Sequence, residues 1–100
     1  MKIVIVEDEQ LAAEKLERYL LKYNAEVTIV GKLSSNDEAI QWFQENEDYD
    51  VVFMDIQLTD GLSFEIFNQA KITKPIIFTT AFDEYAIDAF KVNSVDYILK

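Results

Sequence analysis

The chain contains no cysteine and no histidine. Without cysteine it can form no disulfide and no thiolate metal site. Without histidine it has no imidazole general base and no phosphohistidine to donate. Its only glycines are Gly31 and Gly61, so it has no glycine-rich phosphate loop. No apolar run approaches the roughly 20 residues that span a bilayer. The first strand pattern follows Met1-Lys2 directly, so we expect no signal peptide.

Basic residues are also scarce. Nine lysines and arginines stand against 19 aspartates and glutamates, and the net charge is −10. This balance disfavours direct contact with nucleic acid, which requires a positively charged face. Half of the 100 residues are apolar, which predicts one folded domain with a modest core. We therefore expect a cytoplasmic protein that contacts neither a membrane nor nucleic acid.

Strand and helix patterns alternate along the chain. We predict strands at residues 3–6, 27–30, 49–54, 76–79 and 95–99. The intervening helices are predicted to begin at residue 8 or 9, within 34–36, near 62 and at 83. Gly31 is expected to close the second strand, and Pro75 is tolerated just before the fourth. The predicted core-facing stripe of the first helix is Ala12, Leu16, Tyr19, Leu20 and Tyr23. This alternation is typical of an α/β protein with a parallel sheet.

Two of the predicted strands end in acidic residues. Asp55 follows the apolar run 51–54, and Glu7-Asp8 follows the run 3–6. The carboxyl ends of parallel strands lie at one edge of a sheet, where ligands bind. Three carboxylates meeting there predict a site for a hard divalent cation with one reactive carboxylate to spare.

Four short motifs resemble the receiver domain of two-component response regulators. They are Glu7-Asp8, Met54-Asp55, Thr80-Ala81 and the closing run 97–100, in order at four strand ends. The stretches 60–65 and 78–86 are similar to receivers joined to LytTR-type DNA-binding domains. The resemblance covers residues 1–100. It implies a flavodoxin-like, doubly wound, five-stranded parallel sheet of order 2-1-3-4-5, with the last helix absent and the domain incomplete at its C-terminus.

The resemblance also assigns the metal site. It implies that Asp55 is the phosphoacceptor and that Asp8 and Asp55 bind Mg²⁺ directly. Glu7 would act through a metal-bound water, and the backbone carbonyl of Gln57 would be a further ligand. Receivers more often carry aspartate at the position of Glu7, and the longer side chain extends the arm towards the water.

The remaining site residues are likewise implied by the resemblance. The hydroxyl of Thr80, the backbone N–H of Ala81 and the ammonium of Lys100 would bind the phosphoryl oxygens. Tyr97 would be the switch aromatic whose rotamer follows the position of Thr80. Taken singly, Asp55 also fits a solvated strand end or a helix cap, and Glu7-Asp8 fits a cap of the first helix. Thr80 alone fits a turn hydroxyl, Tyr97 half-buried packing in a strand, and Lys100 a solvated lysine.

The function implied is a phosphorylation-controlled switch. A sensor histidine kinase would supply the phosphoryl group, and an effector domain outside this chain would regulate transcription through LytTR-type DNA binding. The chain itself would catalyse no more than its own phosphorylation and dephosphorylation. A missing last helix would leave one sheet face bare and the isolated chain unstable as a monomer. We therefore expect either that a second copy covers the face in a homodimer or that the native protein continues past Lys100.

Three other functions fit parts of the pattern. A Mg²⁺-dependent aspartyl-phosphate phosphohydrolase commonly needs a second aspartate two residues after the nucleophile, where this chain has Gln57, and it needs a cap domain. A degenerate receiver would serve only in dimerisation, and the intact acidic set argues against it. A nucleotide-binding flavodoxin-like protein would need the missing glycine-rich loop.

Overall fold

The computed structural model describes the backbone of residues 1–80 and 96–99 and the side chains of residues 1–79. Its elements in chain order are β1 Lys2–Val6, α1 Gln10–Tyr23, β2 Thr28–Leu33, α2 Asn36–Glu45, β3 Val51–Asp55, β4 Gln57–Leu58, β5 Gly61–Leu62, a 3-10 turn Ser63–Glu65, α3 Ile66–Gln69, β6 Ile76–Thr80 and β7 Asp96–Leu99. The helix predicted at 83–92 lies outside the described residues.

Five strands form one parallel sheet in the order β2-β1-β3-β6-β7. Numbered among the sheet strands alone, this order is 2-1-3-4-5, so the predicted doubly wound α/β sheet is confirmed. The short strands β4 and β5 form a separate antiparallel hairpin directly after β3. Each parallel pair requires a crossover connection, and this explains why helices alternate with strands in the sequence.

The core lies on both faces of the sheet. Val4 and Val6 of β1 face a cluster that includes Ala39 and Phe43 of α2. Ile3 and Ile5 face the opposite way, into a smaller cluster with Ala13 of α1. Because successive residues of a strand point to opposite faces, burial on both sides demands an unbroken apolar run.

The first helix faces the sheet with only part of the predicted stripe. Ala13 is its buried residue, and Leu16 and Leu20 pack half-buried against the same cluster. Tyr19 and Tyr23, predicted to face the core, are 61% and 93% exposed, so that part of the prediction is wrong. The apolar face of this helix is broad, and a small rotation decides whether Ala13 or Tyr19 turns towards the sheet.

The second strand does not end at Gly31, as predicted, but continues to Leu33. Gly31 pairs with Val4 just after an irregularity in the register. A Cβ atom at position 31 would lie 3.2 Å from the Trp42 ring, so glycine here admits the indole rather than ending the strand. Trp42 itself is half-buried on α2.

The third predicted helix is shorter than expected. Leu62 belongs to β5, a 3-10 turn follows, and regular helix begins only at Ile66. Gly61 has φ +128°, a backbone conformation that L-residues rarely adopt. The hairpin and the 3-10 turn therefore contain the residues that the apolar pattern assigned to the first turn of the helix.

Candidate functional site

Three carboxylates meet at the carboxyl edge of the sheet. Val6 is paired with Met54 in the register of β1 and β3, and so the residues that follow them, Glu7 and Asp55, end neighbouring strands. One carboxylate oxygen from each of Glu7, Asp8 and Asp55 lies within 4.8 Å of the other two. Glu7 and Asp55 are each 7% exposed, and Asp8 is half-buried. The predicted convergence of these acids is confirmed.

The backbone around the acids is fixed by the sheet. The Glu7 N–H donates to the Leu33 carbonyl at 2.8 Å, and the Ile56 N–H donates to the Thr79 carbonyl at 3.3 Å. A Glu7 side-chain oxygen accepts from the Glu9 N–H at 3.3 Å, just before α1 begins. This is a local bond two residues along the chain, and the N-cap residue of α1, Glu9, makes no side-chain cap hydrogen bond.

Two of the three acids line a groove of about 420 Å³. Glu7 and Asp8 line it together with Leu33 and Ser34 at the end of β2. The groove therefore reaches the cluster on the side of Glu7 and Asp8, and Asp55 does not line it.

The arrangement is suited to binding a metal ion. Hard divalent cations take oxygen ligands, and a small one such as Mg²⁺ keeps several waters while it binds one or two carboxylates. Three negative groups this close repel one another, and a bound cation relieves that repulsion. The residues present therefore fit a divalent cation. Among the described residues, Glu7, Asp8 and Asp55 are the one group of three acids close enough to bind a common metal ion.

The other predicted site residues are described only in part. Gln57 begins β4 two residues after Asp55, with its side chain exposed. Thr80 ends β6, the strand beside β3, so its backbone reaches the same sheet edge. The backbone of Tyr97 lies in β7, paired with Phe78. The side chains of Thr80 and Tyr97, and the whole of Ala81 and Lys100, lie outside the described residues.

One contact near the site was not predicted from the sequence. The Asp60 carboxylate accepts hydrogen bonds from the backbone N–H groups of Asn36 (2.9 Å) and Asp37 (3.3 Å), at the start of α2. The hydrogen bond from the Asn36 backbone N–H is the main reason that the pKa of Asp60 is lowered. Slight desolvation opposes this and the Asp37 bond adds to it. The only sequence signal was the pair Asp60-Gly61, which by itself indicates a turn.

A doubly wound sheet with an acidic cluster at its carboxyl edge defines a class of proteins that bind ligands at the strand ends. Within that class, the chain belongs to the response regulator receiver domain family, whose sequence profile matches residues 3–100. The predicted resemblance is confirmed. No helix in the described part of the chain is long and apolar enough to cross a membrane.

Named relatives agree with this membership. The chain is 44% identical over 103 aligned residues to the sensory transduction protein LytT of Bacillus anthracis. It is 37% identical to the transcriptional regulatory protein YpdB of Escherichia coli K12. In both cases all of this chain is covered, and it spans 41% of the relative's length.

Solved structures are similar in fold. The response regulatory domain of protein mrkE from Klebsiella pneumoniae superposes with a TM-score of 0.84 at 33% identity, over all of this chain and 83% of that one. The non-phosphorylated HemR receiver domain from Leptospira biflexa gives a TM-score of 0.79 at 23% identity, over 99% of this chain and 81% of that one, a likeness of fold alone.

Proposed function

We propose that this chain is the phosphoacceptor module of a LytT/LytR-type response regulator and that Asp55 takes up the phosphoryl group. The observation that carries the proposal is the convergence of Glu7, Asp8 and Asp55 within 4.8 Å at the sheet edge. Asp55 is the cluster member that ends β3, between the two neighbouring strands of the sheet. It is as buried as Glu7, and it lies at the end of the central strand of the sheet.

The chemistry is a phosphoryl transfer to a carboxylate. An Asp55 oxygen forms a bond to phosphorus while the bond from phosphorus to the donor breaks, and the donor leaves with the electron pair. In dephosphorylation the oxygen of a water forms a bond to phosphorus while the bond from phosphorus to Asp55 breaks. The carboxylate keeps the electron pair, and inorganic phosphate leaves with the protons of the water. This self-directed chemistry is the only catalysis we assign to the chain.

Asp8 and Asp55 would hold Mg²⁺, with the backbone carbonyl of Gln57 as a further ligand and Glu7 acting through a metal-bound water. When bound, the cation neutralises negative charge on the phosphoryl group. Asp8 orients that cation and Asp55 supplies the nucleophile. Glu7, whose carboxylate also accepts the Glu9 N–H, is held in place to order the water.

The phosphoryl oxygens would be bound from the neighbouring strands. Thr80 would donate its hydroxyl, Ala81 its backbone N–H and Lys100 its ammonium. Movement of Thr80 towards the phosphoryl group would let Tyr97 turn inward. Shifting a two-state population from 1:99 to 99:1 takes about 5.5 kcal/mol, an amount that a few charge-assisted contacts supply.

The partners follow from this role. A sensor histidine kinase would donate the phosphoryl group, and residues 1–100 would form a receiver domain joined to an effector. Relatives named as sensory transduction and transcriptional regulatory proteins extend well beyond the matched part. We infer an effector that binds DNA, a homodimeric state and a cytoplasmic location for the whole protein.

Intact mass spectrometry tests the proposal. After incubation with a small-molecule phosphodonor and Mg²⁺, the wild-type protein should gain one phosphoryl group. The Asp55→Asn variant, and the wild type in EDTA, should gain none. A mass gain that persists in either case contradicts the proposal.

Two further variants separate the roles of the other acids. Asp8→Asn should weaken Mg²⁺ binding and slow phosphorylation more than Glu7→Gln does, because only Asp8 is assigned direct contact with the metal. Calorimetric titration with Mg²⁺ measures the difference. Equal losses in the two variants would contradict the assigned roles.

A further inference from the structure

The segment that leaves Asp55 is anchored at two places. Near the sheet, Ile56 and Leu58 are buried, and the Ser63 N–H donates to the Ile56 carbonyl at 2.7 Å. The β4–β5 hairpin lies between Ile56 and Ser63, and its tip contacts the start of α2. There Asp60 accepts the first two amides of the helix, and the Asn36 side-chain amide donates to the Leu62 carbonyl at 3.1 Å.

The start of α2 receives caps from two sources. Ser35, the residue before the helix, accepts the Glu38 N–H at 3.1 Å, as an ordinary local cap does. Asp60 comes from 24 residues further along the chain and covers the amides of Asn36 and Asp37. A helix start can be satisfied locally or by water, so the distant cap matters more for the hairpin that carries it.

The geometry of the hairpin supports this view. Gly61, with φ +128°, makes the turn that follows Asp60, and Asn36 beneath it is only 5% exposed. The negative carboxylate of Asp60 lies at the positive end of the α2 dipole. Both hydrogen bonds that it accepts from backbone N–H groups are charge-assisted. The hairpin tip is thus tied by three hydrogen bonds to an element that packs against the sheet.

We propose that Asp60 is a positioning residue for the metal and phosphoryl site. By tying the hairpin to the start of α2, it holds the segment that leaves Asp55, and with it the Gln57 carbonyl, in the arrangement that binds the cation. This inference rests on the proposed function of Asp55. It adds a residue outside the acidic cluster on which metal affinity depends.

Three variants test it: Asp60→Ala, Asp60→Asn and Ser35→Ala. Asp60→Ala removes the tie. Asp60→Asn removes the charge but keeps an oxygen that can accept the Asn36 amide. Ser35→Ala is the matched control, because it removes a cap from the same helix without touching the hairpin. Mg²⁺ affinity is measured by calorimetry at a temperature where circular dichroism shows all of them folded.

The tie predicts that Asp60→Ala weakens Mg²⁺ binding about tenfold, as loss of an outer support of a metal site does. Asp60→Asn should recover most of that loss, and Ser35→Ala should bind like the wild type while melting earlier. Should Asp60→Ala not fold, Asn36→Ala, which cuts the bond to Leu62, should also weaken binding.

Three results would overturn the inference. In the first, Asp60→Ala binds Mg²⁺ with the affinity of the wild type. If Asp60→Ala does not fold, the equivalent result is wild-type affinity in Asn36→Ala. In the second, Ser35→Ala loses as much affinity as Asp60→Ala, so that helix stability is the cause. In the third, Asp60→Asn matches Asp60→Ala, so that the missing charge is the cause. If the wild type binds no Mg²⁺ and takes up no phosphoryl group, the proposed function itself has failed.

Discussion

Removing a carboxylate from the acidic cluster should make the metal-free protein more stable. Two unit charges 4.8 Å apart repel by roughly 3.5 kcal/mol at an effective dielectric constant of about 20. Water around the half-buried Asp8 screens part of this repulsion. We therefore expect Asp55→Asn to raise the free energy of unfolding in EDTA by about 1–2 kcal/mol. For a chain of this size, that is a rise in melting temperature of at least about 4 °C.

Thermal unfolding at neutral pH, followed by circular dichroism, measures this effect. Glu47→Gln is the control, since it removes one negative charge from an exposed position outside the cluster. Mg²⁺ should then stabilise the wild type by about 2.7 kcal/mol at a hundred times its dissociation constant, and it should stabilise Asp55→Asn by less. If Asp55→Asn melts earlier than the wild type in EDTA, or if Glu47→Gln gives the same gain, the repulsion argument is refuted.

Three other predictions concern the fold around the site. Gly31→Val should displace the Trp42 ring and lower the free energy of unfolding by about 1–3 kcal/mol. Urea titration followed by the fluorescence of this single tryptophan measures the change, and an unchanged midpoint would contradict the close approach of the ring to Gly31. The lowered pKa of Asp60 means that its stabilisation is complete above its ordinary pKa and is lost as pH falls through the lowered value. The melting temperatures of the wild type and Asp60→Asn should therefore differ at neutral pH and converge in acid, and a constant difference would show that charge has no part in the bond. Phe78→Ala should destabilise the fully buried core by about 3–5 kcal/mol in chemical denaturation, and a loss below about 1 kcal/mol would contradict that packing.

The sheet could be predicted from the sequence because its strands carry unbroken apolar runs. A short run such as residues 3–6 is typical of a strand that is buried on both faces, and the acids that follow it must then lie at the sheet edge. The meeting of Glu7, Asp8 and Asp55 was thus predictable without any tertiary contact being known. The strand order came from the family resemblance rather than from the pattern.

The errors arose where a contact between distant residues decides the structure. The rotation of α1 depends on which part of its broad apolar face packs against the sheet, and the sequence alone does not show that Ala13 rather than Tyr19 is buried. Gly31 lies inside a strand because Trp42, on the next helix, lies against it. Asp60 holds α2 through amides 24 residues away, and a turn residue gives no sign of such a bond.

The most direct test of the account locates the phosphoryl group within the chain. The protein is phosphorylated with a small-molecule donor and Mg²⁺, the acyl phosphate is reduced with borohydride, and peptides are sequenced by mass spectrometry. Reduction of an aspartyl phosphate leaves homoserine, and we predict homoserine at position 55 and none at position 8. Homoserine at another position, or unreduced aspartate at 55 in a protein that has gained a phosphoryl mass, would contradict the assignment of Asp55 as the phosphoacceptor.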